Sequence, residues 1–226
     1  MRTVFFDFGG TLVEAQPAID VWLRVLEETG MRPASEDLEE ALARTDAEFV
    51  PRLYEYKGRM PRFWAEYNAR LLSRLGAEDD GTLAAEIERN FKTGETYRVF
   101  PEAHEALEFL RAQGYGLGVV SNNTDDLLAI LPKLGLDRHF DHVTYSQEAG
   151  AEKPDPMVFR LALRRAGCAA AEAVHVGDRY DADVVGARRA GIAPILLDRE
   201  DRRRDADCPR VRDLRGIEAL LEGRRA

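Results

Sequence analysis

Thr3-Val4-Phe5-Phe6-Asp7-Phe8-Gly9-Gly10-Thr11-Leu12-Val13 is an apolar run of high β propensity that meets a lone carboxylate and then two glycines. Such a run reads as a buried strand stopped by a tight turn, which puts Asp7 at the strand's carboxyl end. In an open parallel sheet ligands collect at that end, and glycines beside it let an anionic group approach the backbone closely. The same residues also suit a plain turn, with Asp7 as a cap and the glycines supplying positive φ. A carboxylate so placed could serve as metal ligand, general base or nucleophile, and spacing does not choose among these.

Past Val13 the pattern turns helical. Between Pro17 and Glu28 the apolar residues Ile19, Trp22, Leu23, Val25 and Leu26 recur near helical spacing, with Pro17 suited to a first turn and Gly30 to a stop. Further helices are expected at about 35–50, 61–75 and 80–92. Ser35 suits an N-cap, and Pro61 opens a stripe of Phe63, Trp64, Tyr67 and Leu71. No strand interrupts them, so residues 15–95 read as an all-helical insertion into a domain made of residues 1–14 and 96–226. Its aromatics, Trp22, Tyr54, Tyr56, Phe63, Trp64 and Tyr67, are expected to pack a small core of its own; the alternative is that some line a substrate pocket. Arg52, Lys57, Arg59 and Arg62 fall on an expected loop, where a cation could reach an anionic substrate.

From Pro101 helix and strand alternate, the signature of a parallel sheet with crossover helices. Strands are expected at 115–120, 142–145, 173–176 and 193–197, with helices at 102–113, 125–134, 156–166 and 182–190 between them. With the first strand this makes an α/β, Rossmann-like parallel sheet of about five strands with helices on both faces. The stretch 199–209 is charged and turn-rich, before a last amphipathic helix at about 214–221. Two strand ends carry further polar groups: Ser121-Asn122 precedes a helix, where a hydroxyl and free amides make an anion cradle or a simple N-cap, and Gly177-Asp178 follows the fourth strand.

Composition narrows the classes. The 226 residues are 45% hydrophobic and 32% charged with no long apolar run, so a globular chain without a membrane span is expected. Met1-Arg2 leads straight into the first strand rather than into a signal peptide. Cys168 and Cys208 belong to no metal spacing, and a reducing cytoplasm is the simplest home. Lys and Arg number 32 against 41 Asp and Glu, and the net charge of −9 argues against a nucleic-acid binder. Arg202-Arg203-Arg204 and Arg224-Arg225 read as solvated faces.

Four stretches taken together resemble the motifs of the haloacid dehalogenase superfamily, most of whose members are Mg²⁺-dependent phosphatases. They are the Asp-x-x-Gly-Thr-Leu frame of Asp7, Ser121-Asn122, the run Ser146 to Pro156 with Lys153-Pro154 and Phe159 beyond, and Gly177-Asp178-Arg179-Tyr180-Asp181-Ala182-Asp183. They come in the right order between Thr3 and about Gly191. The resemblance implies that Asp7 attacks phosphorus to form an aspartyl-phosphate, with Thr11 in the same catalytic frame. It implies phosphate contacts from Gly9, Gly10, Ser121 and Asn122, and a Lys153 that pairs with the nucleophile and the transferred group. Mg²⁺ would be held by Asp7, Asp178, Asp183 and the backbone carbonyl of Phe8 or Gly9. Asp181 reads as a surface residue. The helical insertion would be a cap that selects the leaving group of a small phosphorylated metabolite, in a monomer or a homodimer.

One position departs from that pattern. Most phosphatases of the family carry a second aspartate two residues after the nucleophile, to protonate the leaving alcohol and later activate water; here that residue is Gly9. Loss of a general acid/base costs about 10²–10⁴ in rate. Relatives with dehalogenase or phosphonatase chemistry also lack it, but the dehalogenases lack the acidic motif kept here in Asp178 and Asp183, and phosphonatases use an insertion lysine, for which Lys57 is a weak candidate. The expectation is a phosphate-ester hydrolase whose acid is replaced by a cap residue, by water, by the substrate or by Glu14, or is missing. The alternatives are a dehalogenase or phosphonatase on the same scaffold, or a weakly active or non-enzymatic binder of a phosphorylated ligand.

Overall fold

A computed structural model describes residues 3–56, 60–91 and 96–222. In chain order the elements are β1 (Thr3–Phe6), β2 (Val13–Ala15), α1 (Ala18–Glu28), α2 (Ser35–Phe49), a 3₁₀ turn (Val50–Tyr56), α3 (Met60–Arg74), α4 (Thr82–Phe91) and β3 (Tyr97–Val99). They continue with α5 (Ala103–Ala112), β4 (Gly116–Ser121), α6 (Asp126–Lys133), β5 (His142–Tyr145), α7 (Ser146–Ala149) and α8 (Pro156–Ala166). Last come β6 (Ala173–Gly177), a π-helical turn (Tyr180–Val184), α9 (Val185–Arg189), β7 (Ala193–Leu197), β8 (Arg210–Val211) and α10 (Gly216–Glu222). The chain divides into two compact units, Met1–Ala15 with Tyr97–Ala226, and Gln16–Thr96.

The first unit is built on a six-stranded sheet in the order β5-β4-β1-β6-β7-β8, every pair parallel. β1 lies in the middle, so its residues alternate between two buried faces and none needs to be polar. Val4 and Phe6 join a core under α5, α6 and α10, while Phe5 points the other way, among Val158, Phe159 and Ala162 of α8 and Ala187 of α9. The sheet is thus a Rossmann-like layer with helices on both faces. It has one strand more than expected: β8 is a two-residue pairing on the edge of β7, too short to leave a pattern in the charged stretch before it.

A second sheet was not expected at all. β2 and β3 form an antiparallel ribbon in which Val13 faces Val99 and Ala15 faces Tyr97. Three-residue strands carry too little alternation to be read from sequence.

The second unit packs α1 to α4 around Val25, Leu26, Leu38, Leu71, Leu72 and Ile87, all at most 1% exposed. Trp22, Tyr56, Phe63 and Tyr67 belong to this core, with Phe63 stacked on Tyr67 at 5.7 Å, whereas Trp64 is 42% exposed. Ser35 is the first residue of α2 rather than its cap: Ala34 holds the cap position, and no side-chain bond is made there. Arg52 and Arg62 are not free loop cations. Arg52 sits in the 3₁₀ turn bonded to Glu55, and Arg62 sits on α3 bonded to Glu66 at 2.7 Å. Lys57, Arg59, Arg224 and Arg225 lie outside the described residues. No described helix is long and apolar enough to cross a membrane.

Candidate active site

Parallel strands deliver their carboxyl ends to one edge, and β1, β4 and β6 bring Asp7, Ser121 and Asp178 there together. A cleft of about 180 Å³ opens at that edge, lined by Asp7, Phe8, Gly9, Tyr97, Ser121, Asn122, Asn123, Lys153, Arg179 and Ala182.

Lys153 is the centre of charge. It lies after α7, and its cis peptide to Pro154 leads into α8, whose N-cap Asp155 accepts from Met157 N–H at 2.8 Å. The backbone of Lys153 is fixed from both sides by Asn122, whose Oδ1 accepts from Lys153 N–H at 2.7 Å and whose Nδ2 donates to the Lys153 carbonyl at 3.1 Å. Its buried Nζ donates to Asp7 Oδ1 at 2.5 Å and to Asp183 Oδ1 at 2.7 Å. Burial works against the ammonium, but Asp7 and Asp183 outweigh it and hold its pKa above the ordinary value.

Carboxylates outnumber that single cation. Oxygens of Asp7, Asp178 and Asp183 lie within 4.8 Å of one another, the one such group of metal-ligating side chains among the described residues. Burial, with Asp7 and Asp183 adding to it, pushes the Asp178 carboxyl up to about 7. Burial also raises Asp7, against the pull of Lys153. Asp183 goes the other way: burial opposes its charge, but Lys153 and His175 win and hold it below the ordinary range. Three carboxylates against one ammonium leave an excess of negative charge that a divalent cation would neutralise. A second observation fits such an ion: the buried Oδ1 of Asp178 has no hydrogen-bond partner among the described residues, and leaving such an oxygen bare is costly. Hard oxygen donors of this kind suit Mg²⁺.

The expected ligands do not stand equally ready. The Phe8 carbonyl already accepts from Leu12 N–H at 2.9 Å and Val13 N–H at 3.2 Å, which engages both its lone pairs. Gly9, whose carbonyl accepts no bond among the described residues, is left. Asp183 is also heavily committed, with Oδ1 bonded to Lys153 and His175 and Oδ2 to Arg179 N–H at 3.0 Å.

Glycine is required at two positions in this site. Gly10 has φ +76°, and a Cβ there would stand 2.3 Å from Asp178 Oδ2. A Cβ on Gly177 would stand 2.2 Å from Asp183 Cγ. Gly9 is different: a Cβ meets nothing within 4 Å, so its missing side chain leaves open space in the cleft.

Thr11 is fully buried and does not line the cleft; its hydroxyl has no partner among the described residues. Its carbonyl accepts from Arg199 Nη2 at 3.0 Å. Arg199 also pairs with buried Glu102 at 2.7 Å and lies over the Phe100 ring at 3.4 Å, pinning the turn after Asp7. Glu14 stands apart on β2, exposed, with Arg98 3.9 Å away, and does not line the cleft. Asp181 is exposed.

Sequence reading missed His175, Tyr97, Arg179 and Arg199. His175 hides in an apolar strand, and its role shows only in the 3.0 Å contact with Asp183.

The haloacid dehalogenase-like hydrolase family model matches residues 1–191. The chain belongs to the haloacid dehalogenase-like hydrolases. It is similar to a glyceraldehyde 3-phosphate phosphatase of Methanopyrus kandleri, 34% identical over 92% of this chain and 91% of the relative. It is also similar to a phosphoserine phosphatase of Thermus thermophilus, 34% identical over 96% and 98%. Among solved structures, a 2-haloacid dehalogenase from Pseudomonas syringae pv. Tomato is 32% identical over the whole of both chains, with a TM-score of 0.68. This haloacid dehalogenase-like chain is accordingly a hydrolase with phosphatases among its relatives.

Proposed function

We propose that the chain is a Mg²⁺-dependent hydrolase of small phosphate monoesters that works through an aspartyl-phosphate at Asp7. The observation that carries this reading is the cluster in which Lys153 bridges buried Asp7 and Asp183, half-buried Asp178 brings a carboxylate oxygen within 4.8 Å of theirs, and Asp178 Oδ1 has no hydrogen-bond partner among the described residues. A 2-haloacid brings no phosphoryl charge to be neutralised, whereas three carboxylates around one lysine leave negative charge for a divalent ion to meet.

Asp7, Asp178 and the Gly9 carbonyl would hold the ion, with Asp183 contributing what Oδ2 has left. An ion held there would supply the positive charge that lets a carboxylate approach an anionic phosphoryl group. The chain does the rest. Lys153 holds Asp7 in place and offers its third ammonium N–H to the transferred group, and the Ser121 hydroxyl and the main chain at Asn122 receive the phosphoryl oxygens at the end of β4. The Asp7–phosphorus bond forms as the ester oxygen departs, and water then frees Asp7 and inorganic phosphate. The helical unit, residues 16–96, acts as the cap that selects the leaving group, which gives a small phosphorylated metabolite as substrate class. The names of the two phosphatase relatives support that class.

Phosphate release from a nitrophenyl phosphate tests the reading, since a good leaving group needs little protonation. Release that requires Mg²⁺, stops with chelator and is lost in Asp7→Asn is expected. Halide release from a 2-haloacid without metal, and no phosphate, would move the chain to the dehalogenases. Because position 9 has room for a side chain, Gly9→Asp should raise turnover of alkyl phosphates.

A further inference from the structure

No side chain at position 9 can assist a departing alcohol, and the cleft has few other donors to offer. The Lys153 ammonium serves Asp7, Asp183 and, in the reading above, the transferred group; both ends of the Asn122 amide hold the backbone of Lys153; and Asn123, whose Oδ1 accepts from Thr124 N–H, keeps an Nδ2 that can donate a hydrogen bond but, as an amide, gives up no proton to a departing alkoxide. Ser121 is assigned to the phosphoryl group. Tyr97 and Arg179 remain, neither side chain with a hydrogen bond or ion pair among the described residues.

The two differ in how they are held. Arg179 is exposed. Tyr97 packs its ring edge-on against Phe8, with centroids 5.0 Å apart, and Phe8 is the residue between Asp7 and Gly9. β3 is also tied to the turn that Gly9 begins, through the Ala15–Tyr97 pairing and the bond from Phe100 N–H to the Leu12 carbonyl at 3.0 Å. A half-buried phenol with no hydrogen-bond partner among the described residues therefore lines the same cleft as Gly9, its ring held on Phe8.

We propose that the Tyr97 hydroxyl fills the role left by Gly9 and donates a hydrogen bond to the leaving-group oxygen. The inference rests on the phosphomonoesterase reading. As the Asp7–phosphorus bond forms and the phosphorus–oxygen ester bond breaks, the electron pair stays on the alcohol oxygen, which takes the phenol's proton. Water then attacks phosphorus, the Asp7–phosphorus bond breaks, and the proton lost by that water restores the phenol.

The test is kcat/KM in Mg²⁺ across phosphate monoesters graded from nitrophenyl through phenyl to alkyl, for the parent, Tyr97→Phe and Arg179→Gln. Phenylalanine keeps the ring on Phe8, and the nitrophenyl rate reports that the variant is folded. Tyr97→Phe is expected to stay within about threefold of the parent on the nitrophenyl ester and to fall at least about 30-fold on the alkyl ester. A loss of equal size along the series, no loss, or a graded loss in Arg179→Gln instead would overturn the assignment. Failure of the phosphatase reading is distinct, because the parent itself would then release no phosphate from the nitrophenyl ester.

Discussion

His175 Nε2 donates to Asp183 Oδ1 across 3.0 Å, from the middle of β6 and with both side chains out of reach of solvent. The imidazole is thereby a second support for the carboxylate that holds Lys153, and Phe159 fixes its ring edge-on at 4.9 Å. His175→Leu keeps the volume and removes the donor. It should lower stability by about 1–3 kcal/mol and cut phosphate release at least about tenfold. A denaturant melt beside the aryl phosphate assay checks both, and an unchanged midpoint would show that the bond contributes nothing.

Lys153→Met removes the only ammonium from between two buried carboxylates. Losing one partner of such a pair costs about 3–5 kcal/mol. An ion bound by the same carboxylates should then stabilise the variant more than the parent, since binding to the folded state adds to stability. Melting curves with and without Mg²⁺ measure this. Equal shifts in both proteins would argue that the ion does not share the cluster with Lys153.

Neighbouring glycines should respond in opposite ways to one added methyl. Gly10→Ala drives a Cβ into the Asp178 carboxylate at a positive φ and should cost about 2 kcal/mol or more. Gly9→Ala meets nothing within 4 Å and should melt within about 0.5 kcal/mol of the parent. Matching losses at both positions would contradict the geometry of the turn.

A pair of histidines away from the site gives a pH dependence. His139 Nε2 lies 3.0 Å from His104 Nδ1 and accepts from Arg138 Nε at 3.4 Å. Burial, then His104 and Arg138, hold His139 below its ordinary value of 6.5, with Glu108 opposing and Arg111 adding to the shift. The unfolded chain therefore binds this proton at higher pH than the folded one. Stability from this source is complete above about pH 6.5 and falls as the pH drops below it. Comparing thermal midpoints at pH 7.5 and 5.5, His139→Asn should lose less on acidification than the parent. A parallel decline would remove His139 from the account.

What was legible in the sequence follows from range. Asp7, Ser121 and Asp178 could be placed at strand ends because each closes an apolar run that only a buried parallel strand explains. Lys153 could not be placed by such a run, and only the order of motifs pointed to it, since its partners Asp7 and Asp183 lie 146 and 30 residues away. β2, β3 and β8 are two or three residues long and leave no periodic trace. The clamp of Arg199 on Thr11 joins residues 188 apart, and His175 reads as one more member of a buried strand. Phe8 and Gly9 were indistinguishable as carbonyl donors until the amides of Leu12 and Val13 were seen to occupy one of them.

The ribbon of β2 and β3 gives the chain an evolutionary seam. Ala15 and Tyr97 are cross-strand partners, so the segment between them departs and returns at points about 5 Å apart. Anything with closely spaced ends can be spliced in there, long or short, without asking a single residue of the parallel sheet to move. The helical segment can therefore be exchanged wholesale while Asp7 and Lys153 stay as they are, and under the selecting role proposed for that segment substrate preference can diverge faster than the chemistry does.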